Sequence, residues 1–141
     1  VKIDIPKNPH KTMSKKKKYQ LEFLINVSPS MLYQYLTLPS NLAQWFADDV
    51  NVRGHIYTFI WDDQKEKAII SRQKKNERVR YTWLDENGEQ TDYYTEFKIN
   101  VDELTDDVSL IVTDFSDEDE DSFNMLWENQ IEDLKHFLGV H

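Results

Sequence analysis

The order of elements along this 141-residue chain predicts an α+β fold, a curved antiparallel sheet of about seven strands wrapped on a long C-terminal helix. Three observations predict it. A strand-like run near the start leads into a proline-punctuated helical stretch. Six short apolar-rich runs then alternate with polar turns. An amphipathic stretch of helical period closes the chain. At this length the whole is most economically one domain with one core.

The first run, "YQLEFLINV" (19–27), alternates with β-rich character and reads as a strand. Ser28-Pro29 supplies a helix start, with a hydroxyl to cap free N–H groups and a proline where no donor is needed. Met31, Leu32, Tyr35 and Leu36 follow at helical spacing. Pro39 interrupts, and a second short helix carries Leu42, Trp45 and Phe46 on one face before Asp48-Asp49 turn the chain. The fold therefore has two short helices between its first and second strands.

From Asp49 to Phe115 the strands are "VNVR", "HIYTFIW", "KAIISRQ", "RVRYTWL", "YYTEFKINV" and "VSLIVTDF". Arg78, Arg80 and Thr82 alternate with Val79, Tyr81 and Trp83, the period-2 pattern of a sheet with one wet face. Gly54 and Asn87-Gly88 are turn signals, and no proline after Pro39 forbids ladder pairing. Short turns between successive strands make an antiparallel meander. In the tail, Ser116 is the expected cap, and Asp117 to Asp121 place negative charge at the helix N-terminus. Phe123, Leu126, Trp127, Gln130, Ile131, Leu134, Phe137 and Leu138 form the stripe. Lys135 and His136 lie in the last turn, and Gly139 suits the stop.

Charge is unevenly placed. Residues 1–20 hold seven lysines and one acid, whereas the remainder holds ten basic and twenty-five acidic residues. So acidic a body argues against nucleic acid as the main partner. The Lys15–Lys18 run reads as part of a solvated leader over 1–18, ahead of a folded domain over 19–141, with a nucleic-acid or membrane-surface tether as the alternative. Met13 followed by Ser14 leaves open whether residues 1–12 precede a natural start. No run spans a bilayer, so no stable membrane insertion is expected, and no secretory h-region opens the chain, so the cytoplasm is the expected compartment. Without cysteine, and with four scattered histidines, neither a metal site nor a cofactor is expected.

The sheet has one apolar face and the terminal helix one apolar stripe, about 30 Å long at the usual rise. Each is the other's only large cover. A twisted sheet curls, so the helix meets its centre more easily than its ends and leaves a gap. Trp45 and Phe46 stand at the end of that groove, either plugging the core or walling a pocket, while Asp48 and Asp49 stay wet.

The stretch "YQLEFLINVSPSMLYQYLTLPSNLAQWFADDV", the meander and "LWENQIEDLKHFLG" together resemble the START-like or SRPBCC superfamily with its helix-grip fold, over roughly residues 17–140. The nearest flavour is the small START-like proteins of Bacteroidetes, related to activators of the heat-shock ATPase. The resemblance implies a cavity between sheet and terminal helix that takes an apolar small molecule such as a lipid. The expected lining is Trp45, Phe46, Tyr57, Phe59, Trp61, Tyr81, Trp83, Phe97, Trp127 and Ile131. A dry void of about 200 Å³ would cost on the order of 5 kcal/mol. So many bulky rings therefore point to a modest cavity and not a lipid-sized tunnel.

The resemblance also implies two other roles. One is protein interaction of the co-chaperone kind, although the basic-asparagine signature of the eukaryotic activators is missing. The other is aromatase or cyclase chemistry, which needs a buried acid–base pair. No catalytic residue is assigned: His55 sits in a turn, His136 answers the helix dipole, and Asp48 and Asp49 point apart. The run Asp114, Asp117–Asp121 lacks the glycine of a calcium loop and reads as a solvated helix lead-in. Non-enzymatic ligand binding is the expected function, with homodimerisation through an edge strand or exposed aromatics left open.

Overall fold

The computed structural model describes residues 15–141. Its elements are β1 (Lys17–Leu24), α1 (Pro29–Thr37), α2 (Pro39–Trp45), β2 (Asp49–Arg53), β3 (Ile56–Trp61), β4 (Gln64–Lys74), β5 (Arg78–Leu84), β6 (Gln90–Val101), β7 (Val108–Ser116) and α3 (Glu120–Leu138). All seven strands form one antiparallel sheet in the order β1-β7-β6-β5-β4-β3-β2. The six expected meander strands are all present. β1 runs two residues earlier than expected, taking in Lys17 and Lys18, and ends at Leu24; Ile25 keeps the inward parity and its N–H still reaches the Val108 carbonyl, after which the Val27 N–H closes a tight turn onto the Ile25 carbonyl. Residues 1–14 of the expected leader lie outside the described residues.

Local chemistry sets the helix ends. Ser28 Oγ accepts the Met31 N–H at 3.2 Å and Pro29 opens α1, as its residue types require. Leu38 ends α1 and, followed by Pro39, begins α2. Two expectations for α3 need correction. Its cap is Asp119, whose carboxylate accepts the Ser122 N–H at 2.8 Å; Ser116 still belongs to β7, and its hydroxyl accepts the Glu118 N–H. Phe137 falls off the buried stripe of Phe123, Trp127, Gln130, Ile131 and Leu134 and is 43% exposed. Gly139 does end it. At φ 74 it lets the Gly139 and Val140 N–H groups reach back to the His136 and Lys135 carbonyls.

The Asn87-Gly88 signal marks a real hairpin but not a two-residue one. Residues 85–89 form the loop, only Gly88 takes positive φ, and Asp85 Oδ1 accepts the Asn87 and Glu89 N–H groups.

The sheet's inner face, the palm, carries Phe59, Trp61, Ala68, Val79, Tyr81, Trp83, Phe97, Leu110 and Val112 into the core. α1 and α2 cover one part of this face and α3 another, bringing Leu32, Leu36, Trp45 and Phe46, and Phe123, Trp127, Ile131 and Leu134. At about 1.5–3 kcal/mol for each large apolar side chain buried, this is the main stabilising term of the domain.

Candidate functional site

The ten residues expected to line a site come together in the palm. Nine are buried and Tyr57 is half-buried. Phe46 is the hub. Its ring lies 5.4 Å from those of Trp45, Phe59 and Trp61, 5.8 Å from Phe97 and 6.2 Å from Trp127. Most of these pairs meet edge to face, the arrangement the ring quadrupoles favour. Tyr57, Phe59, Tyr81 and Trp83 continue the network along the sheet. Rings thus pack across the palm, and among the described residues there are depressions on the outer face over β2–β4 and at hairpin ends.

The polar edges of these rings have a second job. Every indole N–H is bonded: Trp45 to the Tyr35 carbonyl (2.8 Å), Trp61 to the Phe46 carbonyl (2.8 Å), Trp83 to Thr95 Oγ1 (3.1 Å) and Trp127 to Asp114 Oδ2 (3.3 Å). The Tyr81 hydroxyl donates to the Leu36 carbonyl at 2.6 Å and the Tyr57 hydroxyl to the Thr37 carbonyl at 3.1 Å. The last carbonyls of a helix have no partner inside it. At the end of α1 the sheet's tyrosines and the tryptophan of α2 supply the missing donors. Burial, reinforced by the nearby Tyr57 and Tyr33 hydroxyls, pushes the Tyr81 hydroxyl well above its ordinary value, so it stays a donor.

Under α3 the polar groups are arranged differently. Asp114 points inward from β7 and is buried, which corrects its assignment to a solvated acidic run: the alternation of β7 places it on the palm face with Leu110 and Val112. Burial pushes its carboxyl up to about 6, against the opposing effects of hydrogen bonds from Thr95, the Phe115 backbone and Trp127, and of the Lys16 charge. The Thr95 hydroxyl donates to Asp114 Oδ1 at 2.8 Å and in turn accepts Trp83. Lys16, almost wholly covered, pairs with Asp117 at 2.7 Å. Asp117 to Asp121 are exposed, as expected for the helix lead-in.

One turn along the helix, Gln130 is fully buried within the apolar stripe. Its Nε2 donates to the Phe46 carbonyl at 3.2 Å, and its Oε1 has no partner among the described residues. The orientation is fixed chemically: a carbonyl can only accept, so the nitrogen must face Phe46 and the oxygen is the atom left over. An unsatisfied buried acceptor costs about 1–3 kcal/mol.

The residues that sequence reasoning missed are Asp114 and Gln130. Gln130 carried a signal, a polar residue within an apolar stripe. Asp114 shares its strand's inward parity, a signal masked by the acidic residues that follow it. His55 and His136 are exposed, as are Asp48 and Asp49; Asp48 Oδ2 accepts the Asp62 N–H at 2.6 Å.

A sequence profile described as a START-like superfamily domain matches residues 13–140, so the chain belongs to that superfamily. Among solved structures it is similar to BfR322 from Bacteroides fragilis, at 33% identity over 89% of this chain and 93% of that one, with a TM-score of 0.60. The fold is also that of the Aha1 dimer from Colwellia psychrerythraea (17% identity, 84% and 93% covered, TM-score 0.67). CalU16 from Micromonospora echinospora shares it too (15% identity, 87% and 74% covered, TM-score 0.63). No curated protein matches the chain significantly. No helix among the described residues is long and apolar enough to cross a membrane.

Proposed function

We propose that this START-like domain holds a small, mostly apolar molecule bearing one hydrogen-bond donor, in the palm between α3 and the sheet, and performs no chemistry on it. The observation that carries the reading is Gln130 Oε1, an acceptor buried without a partner beside the Phe46 hub. A ligand donor would satisfy it, and the surrounding rings would supply stacking surface. Entry requires α3 to move outward, because the rings otherwise fill the space. Asp114 is read as a clasp and not as an acid–base catalyst, since both its oxygens are already engaged, Oδ1 by the Thr95 hydroxyl and Oδ2 by the Trp127 indole. The test is native mass spectrometry after incubation with cell extract, beside thermal shifts over lipid and small aromatic libraries. A retained species on the wild type that is lost in Gln130→Leu supports the reading. No retained species and no shift with any compound contradicts it.

A second reading is a protein-interaction role of the co-chaperone kind. The likeness to the Colwellia Aha1 dimer supports it at the level of fold. It predicts salt-sensitive capture of a protein partner; recovery that ignores ionic strength removes its electrostatic basis.

A further inference from the structure

The outer face of the sheet has a charge pattern opposite to that of the chain as a whole. The register sets Arg72 opposite Arg80, Lys74 opposite Arg78, and Arg78 opposite Lys98. These residues alternate with Val79, Tyr81 and Phe97 of the palm, so all five project from the back of β4, β5 and β6. Like charges directly opposite one another are destabilising. Two of the five are compensated: Arg80 by Glu96 at 2.9 Å and Lys74 by Glu77 at 3.0 Å. Among the described residues Arg72, Arg78 and Lys98 have no carboxylate partner. Together with Lys74 and Glu77 they line one depression in the surface.

A formal charge of −9 makes this cluster a departure from composition, since it gathers five of the ten basic residues that follow residue 20. Folding alone does not favour it. Three adjacent central strands carry repulsive pairs while acids abound nearby, a local conflict of the kind expected where a surface serves a partner.

We infer that this back face docks a short acidic segment of a partner protein. Its size and rim select that occupant. The cations span about 10 Å across three strands and about 7 Å along β4 and β5, room for a few carboxylates. Beyond them, the β6–β7 turn carries Asp102, Glu103, Asp106 and Asp107, all exposed. A long phosphodiester reaching past the cluster would meet that rim at one end and the acidic remainder of a chain of net charge −9, whereas a short acidic peptide is confined to the cations. The surface lies on the opposite side of the sheet from the palm, so the inference stands apart from the ligand reading.

The test is fluorescence anisotropy of a labelled decaglutamate peptide at low salt, with a uridine decanucleotide and phosphatidylserine vesicles as comparison probes. Arg78→Glu is the decisive variant. It places a carboxylate between Lys74 and Lys98, so it should preserve or raise the melting temperature while weakening the peptide by about tenfold or more. Arg72→Gln/Lys98→Gln should weaken binding without adding a new ion pair, and Gln130→Leu should leave it unchanged. Failure of the wild type to bind the peptide would overturn the inference. So would binding indifferent to Arg78→Glu, or tighter binding of the oligonucleotide or the vesicles than of the peptide.

Discussion

Two parts of the palm are held by opposite kinds of bond. At the α1–α2 corner, side-chain donors from Trp45, Tyr57, Tyr81 and Trp61 all end on backbone carbonyls, and each donor is spent on an acceptor that needed one. Under α3 the links are side chain to side chain or single amides. They depend on a buried carboxylate pushed up to about 6 and leave Gln130 Oε1 unsatisfied. The corner is bonded for permanence, whereas the helix side is covered by rings but only loosely fastened by polar groups. If the palm opens, it opens at α3.

The largest expected effect falls on the ring that joins both parts. Phe46→Ala should destabilise by about 3–5 kcal/mol, a large share of a typical domain's stability, in a urea melt. A loss below about 1.5 kcal/mol would mean that the palm is less tightly filled than its ring geometry indicates.

Next is Asp114. Its folded-state carboxyl is raised above the unfolded value, so the native state binds the proton more tightly. The contribution therefore favours folding at low pH and is lost as pH rises from about 4 through about 6, by on the order of 3 kcal/mol. Asp114→Asn should flatten that part of the stability–pH curve relative to wild type. Equal slopes in the two proteins would show that Asp114 is solvated.

At the corner, Tyr81→Phe removes the donor to a buried helix-end carbonyl and should cost about 1–3 kcal/mol by thermal melt. Tyr57→Phe should cost less, about 0.5–1 kcal/mol, because Tyr57 is only half-buried and water can replace its hydroxyl there. A reversed order would break the contrast between the dry and wet ends of the corner. The smallest effect belongs to Gln130→Leu. It removes an orphan acceptor while Trp61 continues to serve the Phe46 carbonyl, so stability should change by less than about 1 kcal/mol or rise.

This contrast was only half legible in the sequence. Ser28-Pro29, the alternation of Arg78–Trp83 and the stripe of α3 each obey a local period or capping rule, and the structure follows them. The aromatics gather in the palm because period-2 parity and helical spacing fix which way a side chain points. Boundaries were less legible where two residue types compete for one role. Ser116 and Asp119 can both cap, and the length of β7 decided for Asp119. What the rings bond to was not legible at all. That Trp61 and Gln130 share the Phe46 carbonyl depends on where α2 ends against the sheet, a distance of tertiary packing with no trace in local pattern.

Native-state hydrogen exchange tests, without any ligand, whether α3 is the movable side of the grip. Amides of α3 between Phe123 and Leu134 should exchange through an opening of lower free energy than those of Val79 to Trp83 in β5. Protection of α3 equal to that of β5, through global unfolding alone, would contradict it.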